Sequence, residues 1–245
     1  MSWLYQVPFW TRGIAVMTVL VLVAAVERVV VGARARRWKE YGAWVVMSAL
    51  GAAFGACNDL VTSRISAHYF ELGKGLSSVD PQQFVRDVAD LGARAGCSAG
   101  LLLGGVLLLA NTSRSSLPSL RVVELLAHAL VPIALAAAFA PIAVFSTNWD
   151  VQGLGDELRR VLSESDVDAF LFVQRAHAGA YIGAALGTSI ACLSVLRSRR
   201  SRDASARTAE SIKKQGVSQG RQQGVAGAAA EKVVGRPSAP SGARS

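Results

Sequence analysis

Five stretches of this chain contain no Asp, Glu, Lys or Arg: residues 13–26, 41–58, 95–113, 125–149 and 176–196. A helix of about 20 apolar residues crosses roughly 30 Å of hydrocarbon. In lipid the helix is also the form in which one segment satisfies its own backbone groups. The expected fold is therefore all-α, a polytopic membrane bundle of five transmembrane helices. Composition agrees, because 51% hydrophobic and 18% charged residues leave too little polar surface for a soluble globule of 245 residues.

The charges outside these blocks set an expected orientation. Arg28, Arg34, Arg36, Arg37 and Lys39 follow the first block, and Arg114 and Arg121 lie between the third and fourth. The segment before the fifth carries Asp150, Asp156, Glu157, Glu164, Asp166 and Asp168 against Arg159, Arg160 and Arg175. After the last block, Lys and Arg outnumber Asp203, Glu210 and Glu231. Basic and non-basic linkers alternate as an N-out, C-in arrangement requires. The first block is short enough to read alternatively as a cleaved signal peptide, but its basic flank resists translocation and favours a retained helix.

Two regions result: a five-helix domain over residues 1–197 and a disordered basic cytoplasmic tail over 198–245, whose Ser, Arg, Gln, Gly and Ala cannot bury a core. The tail supplies most of the pI of about 10.1. It lacks the interleaved aromatics of a nucleic-acid platform, so no nucleic-acid partner is expected. Its cluster from Arg197 to Arg207 suits anionic lipid head groups, and a topogenic anchor explains it equally well. The bilayer is the expected partner, and a homo-oligomer is the form a channel of so few spans would need.

Helical extensions are expected beyond the spans on one side. Asp80-Pro81 reads as an N-cap with proline at the first helical position, and Phe84, Val88 and Leu91 then share a face. Ser165 to Asp168 reads as a second start, leading into Phe170 and Phe172. Gly51 and Gly55, then Gly92, Gly96, Gly100 and Gly104, then Gly179, Gly183 and Gly187 recur at intervals of four. Such faces allow close backbone approach and favour packing of the second, third and fifth blocks together. Pro132 and Pro141 are expected to kink or break the fourth.

Ionisable groups inside hydrocarbon are costly and default to functional candidates. Here they are Glu27, Asp59, Arg94, Glu124, His128 and His177. Glu124 and His128 are expected to form a buried polar pair one turn apart, Glu124 reaching the interface being the alternative. Arg94 is expected to bridge to Asp59. Asn58, Asp59, Thr62, Arg64, His68, Tyr69, Glu71, Arg94, His177 and Tyr181 make up a candidate outer polar site. A three-histidine metal centre is unfavourable, since about 18 Å of depth separates His128 from His177 at roughly 1.5 Å per residue. No HExxH, GxSxG or phosphate-loop pattern occurs.

Gly51 and Gly55 followed by Asn58-Asp59-Leu60-Val61-Thr62, Ile65-Ser66 and Tyr69-Phe70 resemble the motif of an uncharacterised bacterial multi-pass membrane family, Asp-x-Ile-Thr-x-x-Ile-Ser-Pro-Glu-Tyr-Phe. Ala67-His68 stand here where that pattern has Pro-Glu. The resemblance implies a bacterial envelope membrane protein and no particular activity; the expected location is the bacterial cytoplasmic membrane, and no cofactor is assigned. The leading functional expectation is an outer-face site for a small molecule, ion or partner. The rivals are a metal-dependent intramembrane hydrolase using Asp59, His128 and His177, and a small oligomeric transporter or channel built around Glu124 and His128.

Overall fold

The computed structural model describes residues 8–32, 35, 37–77, 79–112, 117–145 and 153–234, with side chains as far as residue 212. These form helices α1 (Phe9–Val31), α2 (Arg37–Ser63), α3 (Ala67–Lys74), α4 (Pro81–Ala110), α5 (Val122–Val144), α6 (Leu154–Leu158) and α7 (Glu164–Val234). No strand occurs among the described residues. The helices long and apolar enough to cross a membrane are α1, α2, α4, α5 and α7 over Glu164–Ile212.

Local chemistry starts and stops the elements. Asp80 accepts the amide of Gln82 at 3.0 Å with Pro81 at the first position, as the sequence predicts. Ser66 caps α3 by accepting the amide of Tyr69, and Gly75 ends that helix in the left-handed region at φ 70°. The start of α7 is corrected by two residues: Ser163, not Ser165, takes the capping role. Its hydroxyl accepts the Asp166 amide and donates to the Asp166 carboxylate at 2.6 Å, the reciprocal geometry that a residue three positions upstream can reach.

The spans assemble as two tightly joined pairs. In the first, Gly51 and Gly55 of α2 meet Gly92, Gly96 and Gly100 of α4 backbone to backbone: a Cβ added at Gly96 would lie 2.7 Å from the Gly51 carbonyl carbon, and one at Gly100 2.8 Å from Ser48 Cα. In the second, Gly183 and Gly187 of α7 meet α5, where a Cβ would come 2.7 Å from the Leu135 carbonyl carbon and 2.5 Å from Pro132 Cα. The expectation that the second, third and fifth blocks share one interface is thus corrected. The glycine face of α2 is filled by α4, and α7 finds its close-approach surface on α5, beside Ala136 and Ala143. Helix α5 runs continuously through Pro132 and Pro141 and is not broken.

Two apolar clusters close the bundle at opposite ends. Tyr69, Phe70, Val88, Leu158, Val167, Phe170, Leu171 and Val173 gather at the end that carries α3 and α6. Ala43, Met47, Leu107, Leu120, Leu125, Ala129, Ala191 and Val195 gather at the other. Helix α1 stands aside, touching mainly α2, held by the Trp10 indole donating to Asp90 at 2.8 Å and by Glu27 accepting the Arg37 amide at 2.8 Å. Its Ile14, Val19, Val21, Leu22 and Val26 are exposed, as suits a helix surrounded by lipid.

Helix α7 runs past residue 198, where the sequence reading begins the tail, to Val234; residues 235–245 lie outside the described residues. Specific contacts hold its first turns beyond the span. Arg199 is 1% exposed and donates to four carbonyls, those of Ala110 (2.5 Å), Thr112 (2.7 Å), Leu117 (2.8 Å) and Pro118 (3.0 Å). It clasps the C-terminus of α4 and the segment leading to α5, satisfying carbonyls that a helix end leaves without intrahelical donors. Arg202 pairs with Glu124 at 2.6 Å, and Arg207 with Asp203 at 2.9 Å.

Candidate functional site

Between the two helix pairs lies a cavity of about 160 Å³. Its walls run from Asn58 to Met47 on α2, from Leu91 to Leu107 on α4, from Ala129 to Ala136 on α5 and from His177 to Ala184 on α7. Twelve residues of α2 rise roughly 18 Å, so the cavity is elongated along the bundle. Most of the wall is Gly, Ala and Leu. The polar groups lie at one end only: Asn58, Asp59, Lys74, His177 and Tyr181.

Each polar group is positioned by a distinct local cause. The packing of α4 on Gly51 and Gly55 aims the next turn of α2 inward, burying Asp59 (7% exposed) and Thr62 (5%). Asp59 Oδ1 accepts from the Asn58 amide at 3.3 Å and stands 3.6 Å from His177 Nε2. The Thr62 hydroxyl donates to the Asn58 carbonyl at 2.9 Å, which leaves its oxygen to accept from His177 Nε2–H at 3.1 Å. That bookkeeping puts the ring proton on Nε2 and turns Nδ1 into an acceptor.

The turn after α2 folds α3 back over this group. Tyr69 lies against His177 with ring centroids 5.0 Å apart, and Phe70 with 6.1 Å. Burial, helped by the nearby Asp59 charge, pushes the Tyr69 hydroxyl up to about 12, so it is a neutral donor at ordinary pH. Lys74 sits at the rim, its ammonium 5.3 Å from the Tyr69 ring centroid, within cation–π range.

Of the expected outer group, the structure therefore brings together Asn58, Asp59, Thr62, Tyr69, His177 and Tyr181. It sets four others apart. His68 and Glu71 pair with each other at 3.0 Å on the exposed face of α3, and Arg64 is exposed in the turn. Arg94 pairs with Asp90 one turn away on α4, so the expected Arg94–Asp59 bridge is corrected. The reason is rotational: Gly92 and Gly96 face α2, which turns Arg94 between them to another side of the helix.

The buried Glu124–His128 pair is also corrected. Glu124 Oε2 accepts the Arg121 amide at 2.9 Å, capping α5, while Oε1 takes Arg202. An acid in the first turn is better served by orphan amides and the helix dipole than by a side chain in the next turn. His128 lies far from His177, because Gly179 rests on Phe139 and His128 is eleven residues earlier on α5, roughly 17 Å at the helical rise. Among the described residues no three His, Cys, Asp or Glu side chains converge as a metal-ligand set.

Lys74 and Arg199 are the residues that sequence reading missed. Lys74 had a usable signal, since a Ser66 cap and Gly75 stop enclose a two-turn helix whose last residue must lie near the end of the second span. Arg199 had none, being one cation among several.

The fold and site define an all-helical chain with five helices long and apolar enough to cross a membrane, hollow between two glycine-joined pairs and polar at one end of the hollow. Comparison with protein-family models, with curated proteins and with solved structures finds no match.

Proposed function

We propose that this chain is a five-span integral protein of a bacterial cytoplasmic membrane, N-terminus outside and C-terminus inside, that reversibly binds a small amphiphile between its two helix pairs. The observation that carries the reading is the one-ended distribution of polar groups around the cavity: an apolar slot finished by Asn58, Asp59, His177 and Tyr181. A molecule with a hydrocarbon part and a hydrogen-bonding head matches such a surface, whereas a bare ion leaves most of the slot empty. The bacterial assignment rests on the motif around Asp59, and the orientation on the basic linkers.

Orientation is checked with reporter fusions. Green fluorescent protein at the C-terminus is expected to fluoresce and alkaline phosphatase there to stay inactive; active phosphatase reverses the orientation.

Binding is checked with a pyrene-labelled monoacylglycerol titrated into purified protein in detergent. Saturable binding is expected, weakened at least about tenfold by Ala99→Phe or Ala184→Phe, which narrow the slot from opposite walls with helical content unchanged. Absence of saturable binding, or indifference to both substitutions in folded protein, refutes the reading.

A further inference from the structure

The order of polar groups along the cavity specifies more than an amphiphile. Asp59 belongs to the wall itself, 7% exposed, and its Oδ1 takes both the Asn58 amide and the His177 contact. Asp59 lines the cavity, and since Oδ1 holds both of these contacts, Oδ2 is the acceptor that it offers there. His177 lines the cavity at the same level. The first polar level met by a chain coming up the slot therefore wants hydrogen-bond donors, and an anion fixed to the chain at this level would lie against the Asp59 carboxylate.

The next level has the opposite sign. Lys74 stands on α3, beyond the end of α2, exposed at the rim with its ammonium over the Tyr69 ring. Among the described residues no carboxylate lies within 4.0 Å of it. The Tyr181 hydroxyl, on the α7 wall, adds a donor at this end of the cavity. From the interior outward the sequence is apolar slot, carboxylate acceptor, cation. The slot has a volume of about 160 Å³ and extends roughly 18 Å along the bundle.

Resting on the proposed amphiphile-binding role, we infer that the ligand is a single-chain glycerophosphate lipid. Its chain fills the slot, its free glycerol hydroxyl donates to Asp59 Oδ2, and its phosphate sits against Lys74. A fatty acid places its charge one level too deep, against Asp59. A diacyl glycerol phosphate has no free glycerol hydroxyl to donate to Asp59.

The test compares unlabelled lysophosphatidic acid, monoacylglycerol, fatty acid and glycerol 3-phosphate as competitors of the pyrene-labelled monoacylglycerol on the full chain. Lysophosphatidic acid is expected to compete about tenfold better than monoacylglycerol, with fatty acid and glycerol 3-phosphate weaker than both. Lys74→Gln, at an exposed position, is expected to abolish the advantage of lysophosphatidic acid over monoacylglycerol. The near-isosteric Asp59→Asn is expected to improve fatty-acid binding. Equal competition by lysophosphatidic acid and monoacylglycerol, or an advantage that survives Lys74→Gln, overturns the inference and leaves the amphiphile reading standing. Competition by glycerol 3-phosphate as strong as by the lipid overturns it in favour of a free phosphate site. Failure of every chain-bearing compound removes both readings.

Discussion

Replacing Arg199 by alanine is expected to lower stability by about 3 kcal/mol or more, among the larger effects of any single exchange outside the glycine interfaces. The guanidinium is buried and donates to the carbonyls of Ala110, Thr112, Leu117 and Pro118. Removing it leaves those acceptors unpaired and opens a space the size of the side chain. It also uncouples α7 from the end of α4, a polar contact that joins the two helix pairs at this end beside the apolar cluster around Leu107 and Val195. Lysine is not expected to rescue, because a point ammonium lacks the planar fork that reaches several carbonyls at once. Thermal unfolding in detergent, followed by circular dichroism, measures the effect. The neighbouring exposed Arg200→Ala serves as reference and is expected to change stability by about 0.5 kcal/mol or less. Equal midpoints for the two variants would show the clasp to be energetically idle.

Two glycine-to-alanine exchanges on one helix are expected to act in opposite directions. At Gly51 the added methyl meets the Gly96 carbonyl and comes within 3.1 Å of Gly100 Cα, all backbone, so relief requires α2 and α4 to separate. In a membrane that close approach is the principal attraction between helices, since lipid offers no hydrophobic gain on association. A loss of about 2–4 kcal/mol is expected, comparable with overpacking against an unyielding neighbour. At Gly42 nothing lies within 4 Å of the added methyl, and the same exchange should stabilise by about 0.5–1 kcal/mol through helix propensity alone. Differential scanning fluorimetry of both variants provides the comparison. Destabilisation at Gly42, or tolerance at Gly51, contradicts the packing scheme.

Much of the architecture could be read before folding was considered. Charge-free runs marked the spans because hydrocarbon excludes charge whatever the tertiary arrangement. Asp80-Pro81 announced its helix because capping is chemistry within one turn. The four-residue glycine spacing showed that close packing would occur. It did not show with whom, because a small-residue face is compatible with any other, and only relative lengths and loop connections decide that α7 lies on α5.

The site divides along the same line. Asn58, Asp59 and Thr62 stood out as polar residues at the end of an apolar run, and His177 and Tyr181 as polar residues one turn apart on another. Their convergence across 115 positions between Thr62 and His177 rests on how two helix pairs oppose each other. Where a polar residue had a nearer alternative, sequence reasoning paired it wrongly. Glu124 prefers the amide of Arg121 and the cation of Arg202 to His128, and Arg94 prefers Asp90 to Asp59. A side chain chooses among all the partners a fold presents, and spacing along one helix displays only some of them.

By itself, then, the sequence determined an all-helical chain with five helices able to cross a membrane, and glycine faces ready for close contact. Those properties follow from solvation and helical periodicity, which act residue by residue. The tertiary structure decided that the faces pair as α2 with α4 and α5 with α7, that a cavity remains between the pairs, that Asp59 and His177 meet at one end of it, and that Arg199 ties down the other. These outcomes depend on which surfaces are used up first when five helices compete for few close-packing partners, a property of the assembled bundle and of no single segment.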